Sequence, residues 1–175
     1  MSMGRIQVYT GDGKGKTTAA MGLALRAAGW GMDAAVCQFL KGRECGERAS
    51  ASRIPGLPFH RFMETERFIG EMSPEAFRTF RDRARAEFDT FRKWAAACAA
   101  DLLVLDEIFA PLHAGIITED ELLSLLDQKP PAAEWILTGR RAPASVIDRA
   151  DLVTEMRDIK HYYVSGVPAR KGIEY

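Results

Sequence analysis

Residues 6–18 read IQVYTGDGKGKTT, a short apolar run followed at once by a glycine-rich turn. Residues 6–9 have the composition of a strand, and residues 17–28, rich in Ala and Leu, have that of a helix. Farther along, strands are predicted over 34–39, 58–63 (the weakest), 102–105, 135–138 and 151–156. Strands that are apolar throughout are typical of parallel sheets with both faces covered. The pattern therefore predicts an α/β fold, a mostly parallel sheet with helices on both faces.

Three further helices are predicted between the strands, two of them from capping signals. Pro74 follows Ser73 and suits the first helical position, so a helix is expected to run from there to about residue 100. Thr118 with Glu121 three residues later is the sequence of a capping box, which predicts a helix ending near residue 128. A short helix is predicted over 143–150.

Length and charge exclude several classes of protein. The chain has 175 residues, the length of one average domain, so a single domain over 1–175 is expected. The glycine-rich turn, discussed below, indicates that this domain binds a nucleotide. It contains 24 Lys and Arg against 24 Asp and Glu, and 47% of its residues are hydrophobic. That balance excludes disorder and argues against a nucleic-acid partner, which usually requires a basic protein.

Cysteine spacing and hydropathy argue against zinc-binding, disulfide-rich and membrane-spanning proteins. The chain has three cysteines without a CxxC pair and three histidines, so a structural zinc site or a disulfide framework is not expected. The longest stretch without charged residues is Ile108–Thr118, far short of the ~20 residues that span a bilayer. The start of the chain lacks an apolar signal region. We therefore expect a cytoplasmic protein without a membrane partner.

The glycine-rich turn is close to the phosphate-binding pattern GxxxxGK[ST]. Gly15, Lys16 and Thr17 fit its end, while Thr10 replaces its first glycine. The backbone N–H groups of such a loop and the helix that follows it attract phosphate oxygens. The predicted nucleotide-binding residues are Gly11, Asp12, Gly13, Lys14, Gly15, Lys16, Thr17 and Thr18. The fold expected is accordingly P-loop NTPase-like.

Charged residues follow three other predicted strands. Asp106 and Glu107 end the run 102–105, while Lys41 and Arg140 follow the runs 34–39 and 135–138. Because the carboxyl ends of parallel strands share one edge, these cations are expected to meet Lys14 and Lys16 at one anion. The acidic pair, with the hydroxyl of Thr17, predicts a site for Mg²⁺ or Mn²⁺ beside the phosphates.

At these motifs the chain resembles the P-loop corrinoid adenosyltransferases. The resemblance covers nearly the whole chain, and its motifs occur in the family's order. They are 9–20 (YTGDGKGKTTAA), 25–29 (LRAAG), 38–42 (QFLKG), 105–107 (LDE), 137–140 (LTGR), 150–155 (ADLVTE) and 171–175 (KGIEY).

The resemblance implies a specific reaction. In this family, Co(I) of a corrinoid attacks the 5′ carbon of ATP, which lies reversed in the loop, and inorganic triphosphate leaves. The corrinoid is itself the nucleophile, so the protein positions the substrates and stabilises charge. Lys16 and Arg140 are implied as the catalytic cations, and Arg26 as a contact to triphosphate or ribose. The resemblance also implies an electron donor for Co(II) and a homodimer.

The chain departs from the family where the corrinoid is expected to bind. Family members often carry a longer N-terminal extension and a Gly-Phe-x-Trp segment that blocks the lower face of the corrin ring. Here only a few residues precede the first predicted strand, and the corresponding region, 62–70, reads FMETERFIG without Trp. Phe62 and Phe68 are the candidates for contact with the corrinoid, and Phe68 is the candidate blocking residue.

Two other classes of function fit a phosphate loop. The chain could be another P-loop phosphotransferase or ATPase, or a binding module that ATP regulates. The products distinguish the three: triphosphate with an organocobalt compound, ADP, or no turnover.

Overall fold

The computed structural model describes residues 3–175. Its strands are β1 (Ile6–Thr10), β2 (Ala34–Phe39), β3 (Phe59–Phe62), β4 (Leu102–Asp106), β5 (Glu134–Thr138) and β6 (Leu152–Glu155). Its α-helices are α1 (Lys16–Gly29), α2 (Gly46–Ala51), α3 (Pro74–Ala97), α4 (Phe109–His113), α5 (Glu119–Asp127) and α6 (Ala144–Arg149). Short 3-10 helices occupy Ile69–Glu71 and Tyr162–Ser165.

The strands form a six-stranded sheet in the order β3-β2-β4-β5-β1-β6. Each neighbouring pair is parallel, so the carboxyl ends of all these strands lie along one edge. Every residue of β2 and β4 is buried, as expected for central strands covered on both faces. The predicted α/β, P-loop NTPase-like fold is confirmed.

Helices cover the sheet on both faces. On one face, the small side chains of Ala20, Ala24 and Ala27 let α1 approach the sheet closely, against Val36 and Val104. The opposite face is packed by α3 and α5, whose buried side chains are Phe80, Ala84, Phe88, Phe91, Ala95, Leu122, Leu125 and Leu126. The tight fit of α1 places the loop before it directly at the strand ends.

Most predicted elements are confirmed, with small differences at their ends. Ser73 caps α3 by accepting a hydrogen bond from Ala76 N, and both hydrogen bonds of the predicted capping box are present at α5. Helix α3 ends at Ala97 rather than near residue 100, because Cys98 has an extended backbone. Helices α2 and α4, of six and five residues, were not predicted. No helix within residues 3–175 combines the length and apolar character needed to cross a bilayer.

Candidate nucleotide site and an adjoining cavity

The glycine-rich loop connects β1 to α1 and packs tightly against the chain after β6. Gly15 caps α1 with a φ of 116°, and Gly11 has a φ of 93°, values that side chains rarely tolerate. A Cβ on Gly11 would lie 2.4 Å from the carbonyl oxygen of Met156. Gly13 N donates to that same oxygen at 2.8 Å. Glycines are therefore required both for the curl of the loop and for its contact with residues after β6.

Lys16 is buried inside this loop. Its Nζ donates to the carbonyl oxygens of Gly11 at 2.6 Å and Gly13 at 2.7 Å. Burial lowers the pKa of Lys16, the Glu107 carboxylate opposes this shift, and Arg140 adds to it. The lysine, the acidic residue and the arginine are thus close enough to influence one another electrostatically.

Asp106 is held by hydrogen bonds from three elements. Its Oδ1 accepts from the hydroxyls of Thr17 at 2.8 Å and Thr138 at 2.7 Å, and its Oδ2 accepts from Gln38 Nε2 at 2.9 Å. The residue is 1% exposed, so these donors replace the water that a carboxylate otherwise needs. The network fixes Thr17 relative to the ends of β2, β4 and β5.

Gln38 and Thr138 were missed as site residues by sequence reasoning. Both are polar residues at the carboxyl ends of otherwise apolar strands, and both are completely buried. That position in a parallel sheet is where ligand sites form, so it was an available signal.

Glu107 adopts a left-handed backbone with a φ of 61°. Its N–H donates to the Thr138 hydroxyl at 3.0 Å, which holds this unusual conformation. Burial raises the pKa of Glu107 and Asp106 raises it further, while Lys16, Lys41 and Arg140 oppose them. A non-glycine residue in this conformation at a strand end is typical of functional sites.

Two cavities open at this edge of the sheet. The first has a volume of about 970 Å³ and is lined by the phosphate loop, α1, α2 and the C-terminal residues. The second, of about 1050 Å³, is lined by the loops after β2, β3 and β5 together with α4. Five residues line both cavities: Lys41, Glu107, Arg140, Glu174 and Tyr175. The cavities are therefore neighbours with a common border of mostly charged side chains.

Most predicted nucleotide residues line the first cavity: Asp12, Gly13, Lys14, Gly15, Lys16, Thr17, Thr18, Lys41 and Arg140. Arg26 does not line either cavity. It lies in the last turn of α1, and ten residues of helix after Lys16 correspond to a rise of about 15 Å. Gly11 also lies outside the lining, because it packs against Met156.

The two aromatic candidates are placed differently. Phe68 lines the second cavity, is 63% exposed, and has the Arg43 guanidinium 5.2 Å from its ring centroid. Phe62 instead packs in an aromatic cluster with Phe39, Phe91 and Trp94. The structure therefore brings Phe68, and not Phe62, to the second cavity.

Lys14 contacts the C-terminal part of the chain. Its Nζ donates to Glu174 Oε1 at 2.8 Å and to the Tyr162 hydroxyl at 3.1 Å. Sequence reasoning did not assign a role to either partner, because they lie 148 and 160 positions along the chain from Lys14. The family's C-terminal motif at 171–175 was the only local signal.

The residues at the loop can supply part of a magnesium site. Within residues 3–175 there is no cluster of three His, Cys, Asp or Glu side chains that could hold a metal unaided. Thr17, Asp106 and Glu107 offer a hydroxyl and two carboxylates, the hard oxygen donors that Mg²⁺ prefers. This donor set fits a metal whose remaining ligands come from phosphates and water.

Comparison with known proteins agrees with this geometry. Residues 2–175 match the family described as ATP:corrinoid adenosyltransferase BtuR/CobO/CobP. The corrinoid adenosyltransferase of Pseudomonas aeruginosa is 37% identical over 177 residues, covering 98% of this chain and 84% of that protein. Corrinoid adenosyltransferase CobA of Salmonella typhimurium is 35% identical over 174 residues, covering 98% of this chain and 86% of that protein. The chain belongs to the ATP:corrinoid adenosyltransferase family.

Proposed function

We propose that this protein transfers the 5′-deoxyadenosyl group of ATP to Co(I) of a corrinoid and releases inorganic triphosphate. Besides family membership, one observation supports this proposal: the phosphate-loop cavity and a second cavity of similar size share a border. Transfer of a group between two substrates requires that both are bound side by side. Holding them in the right orientation accounts for much of an enzyme's rate enhancement.

ATP occupies the first cavity in this proposal, with its triphosphate in the loop. The loop N–H groups, Lys16 and the hydroxyls of Thr17 and Thr18 bind the phosphate oxygens. Thr17, Glu107 and the firmly held Asp106 are the residues for Mg²⁺, which neutralises triphosphate charge when bound. The 5′ carbon then faces the shared border, where Lys41 and Arg140 lie.

The corrinoid occupies the second cavity as the other substrate. The electron pair of Co(I) forms the bond from cobalt to C5′, the bond from C5′ to oxygen breaks, and its electron pair leaves with triphosphate. Cobalt changes formally from Co(I) to Co(III). Negative charge grows on the departing oxygen, so Lys16 and Arg140 are the residues that stabilise the transition state.

Phe68 is the proposed contact with the lower face of the corrin ring. Its exposed ring in the second cavity offers an apolar surface to a large flat ligand. An electron donor for Co(II) and a homodimer also belong to the proposal, as the family resemblance implies. Sedimentation analysis tests the dimer.

Product analysis tests the main proposal. The protein is incubated anaerobically with ATP, Mg²⁺ and a chemically reduced corrinoid. The expected products are inorganic triphosphate and an organocobalt corrinoid in equal amounts. ADP as the product would instead establish a phosphotransferase or ATPase. Binding of ATP without any turnover would indicate that the protein is a binding module that ATP regulates.

A further inference from the structure

The C-terminal segment, residues 161–175, packs against the phosphate loop through one partly buried carboxylate. The Glu174 side chain is 15% exposed. Its Oε1 accepts from Lys14 Nζ at 2.8 Å and from the Tyr162 hydroxyl, and its Oε2 accepts from Arg170 N at 2.7 Å. We call these four residues the Glu174 cluster. Because it joins residue 14 to the last residues of the chain, it fixes this segment on the loop.

Lys14 uses its whole donor capacity within this contact. An ammonium group has three N–H donors. The Nζ donates to Glu174 Oε1, to the Ile173 carbonyl oxygen at 3.1 Å and to the Tyr162 hydroxyl at 3.1 Å. A triphosphate would have to displace a carboxylate and two neutral acceptors to reach this amine. Lys16, whose partners are two carbonyl oxygens of the loop itself, has no carboxylate to give up.

The same segment forms part of the border between the cavities. Glu174 and Tyr175 line both cavities, Gly172 and Ile173 line the first, and Ala169 lines the second. A shift of this segment therefore changes the shape of both cavities at once. Since transfer depends on the separation of the two substrates, a displacement of about 1 Å can cost a factor of about 100 in rate.

We propose that Glu174 is a positioning residue for adenosyl transfer and that Lys14 is its anchor on the phosphate loop rather than a ligand of the triphosphate. This inference rests on the proposed function, because it assigns the segment a place between ATP and the corrinoid. Lys14 and Glu174 then act as one unit, whereas a triphosphate ligand would act independently of Glu174.

A double-mutant cycle distinguishes these roles. The variants are Lys14→Met, Glu174→Ala and their combination, with Lys171→Met as the matched control. Lys171 is an exposed lysine of the same segment, and no side-chain hydrogen bond or ion pair of its own is found within residues 3–175. For each variant, kcat and KM are measured with prereduced corrinoid, and the Kd for ATP is measured by calorimetry without corrinoid. The rate of tryptic cleavage after Arg170 or Lys171 reports how often the segment opens; for the control, cleavage after Arg170 is compared.

We expect each single variant to lower kcat about tenfold and the double variant to lower it by the same factor, because coupled residues are not additive. The Kd for ATP should change by less than about threefold, because Lys16 and the rest of the loop still bind the phosphates. A tenfold change would require a loss of about 1.4 kcal/mol of binding free energy. Tryptic cleavage should accelerate about tenfold in all three variants and stay unchanged after Arg170 in Lys171→Met.

Other outcomes overturn the inference. A Kd for ATP raised tenfold or more by Lys14→Met, but not by Glu174→Ala, would make Lys14 a triphosphate ligand. Losses in kcat that multiply in the double variant, or no loss, would show that the two residues do not act as a pair. If the unaltered protein binds ATP but forms no organocobalt product, the proposed function fails. The cleavage rates and ATP affinities then still decide whether Lys14 and Glu174 anchor the segment.

Discussion

Lys16 is the cation most deeply placed in the phosphate loop. Its ammonium lies between two loop carbonyl oxygens and the residue is buried, so water screens its charge only weakly. We predict that Lys16→Ala lowers kcat/KM by about 100-fold or more, as removal of one transition-state donor typically does. Steady-state kinetics measure the loss, and circular dichroism checks that the fold is retained.

Lys93→Ala is the control for this change. Lys93 is an exposed lysine on α3, far along the chain from the loop. Its variant should have normal kinetics. Near-normal turnover by a folded Lys16→Ala protein would exclude this loop from the catalytic site.

Glu107 and Asp106 are neighbours with different surroundings. Asp106 accepts hydrogen bonds on both oxygens, whereas the Glu107 side chain lines both cavities. We predict that Glu107→Gln, which keeps the shape but removes the charge, raises the Mg²⁺ concentration for half activity about tenfold, a factor equal to 1.4 kcal/mol. A magnesium titration at saturating ATP measures it. An unchanged half-saturation point would move the metal role to Asp106 or away from β4.

The loop and the acidic pair could be located from the sequence because their signals are local. A strand, glycines, a lysine and a helix follow one another directly, and Asp106 ends an apolar run. Gln38 and Thr138 offered only the weaker signal of a polar residue at the end of an apolar strand, and Glu174 offered only its place in the C-terminal motif. Their roles depend on contacts with residues 68, 32 and 160 positions away, which only the folded chain creates.

The connection between β3 and α3 carries the residue expected at the corrinoid. Phe68 immediately precedes a short 3-10 helix and is exposed, whereas the nearby Ile69 packs on the core. Such a connection can adjust to a ligand without disturbing the sheet. Co(II) with a lower axial ligand is hard to reduce, so a side chain that displaces this ligand assists reduction.

We predict that Phe68→Ala slows turnover from Co(II) with a mild reductant about tenfold, equivalent to 1.4 kcal/mol, and leaves turnover from prereduced Co(I) nearly unchanged. Paired assays under anaerobic conditions measure both rates. Ile147→Ala, at an exposed position on α6, is the apolar control and should affect neither. Equal losses in both assays would give Phe68 a role in binding or folding, and no loss in either would assign the ring contact to another residue.

Helix α5 begins with the capping box of Thr118 and Glu121. Thr118 Oγ1 accepts from Glu121 N at 3.2 Å, and Glu121 Oε2 accepts from Thr118 N at 2.7 Å. We predict that Thr118→Ala lowers the free energy of unfolding by about 1 kcal/mol, as loss of an N-cap usually does. Thr90→Ala, within the exposed face of α3, should be neutral or slightly stabilising because Ala has the higher helix propensity. Urea unfolding measures the free energy of unfolding of both variants. Equal values would mean that the capping box does not stabilise the protein.

Helices with caps or long periodic patterns were predictable, whereas of the three helices shorter than two turns only α6, expected over 143–150, was predicted. Helix α3 spans 24 residues and α5 has a capping box, so their signals are strong. Helices α2 and α4 have six and five residues, less than two turns, which is too short for an amphipathic pattern to emerge. Their formation depends on packing beside the two cavities.

The whole sheet brings distant parts of the chain to one edge. Strand β1 pairs with β5 and β6, so the phosphate loop meets residues from the last quarter of the chain. The class of fold follows from the alternation of strands and helices, but the strand order does not. The docking of the C-terminal segment on the loop was equally inaccessible to sequence reasoning, because it depends on side-chain contacts between opposite ends of the chain.

This convergence makes ligand binding a property of the folded molecule. The first cavity is built from the phosphate loop, α1, α2, residues following β2, β4 and β5, and the C-terminal segment, which are together only in the folded state. A ligand that binds the folded state alone adds about 2.7 kcal/mol of stability at 100 times its Kd. For a chain of this size, about 2–4 °C of melting temperature corresponds to 1 kcal/mol, so the expected rise is about 5–10 °C.

We therefore predict that ATP with Mg²⁺ raises the melting temperature by about 5–10 °C at 100 times its Kd. Inorganic triphosphate should produce much of this rise, since the loop, Lys16 and Arg140 bind the phosphates, whereas adenosine should produce little. Differential scanning calorimetry measures all three ligands in the unaltered protein, in Lys16→Ala and in the Lys93→Ala control. The shift should shrink strongly in Lys16→Ala and persist in the control. An equal shift in both variants, or a larger effect of adenosine than of triphosphate, would mean that the nucleotide is not held by its phosphates in this loop.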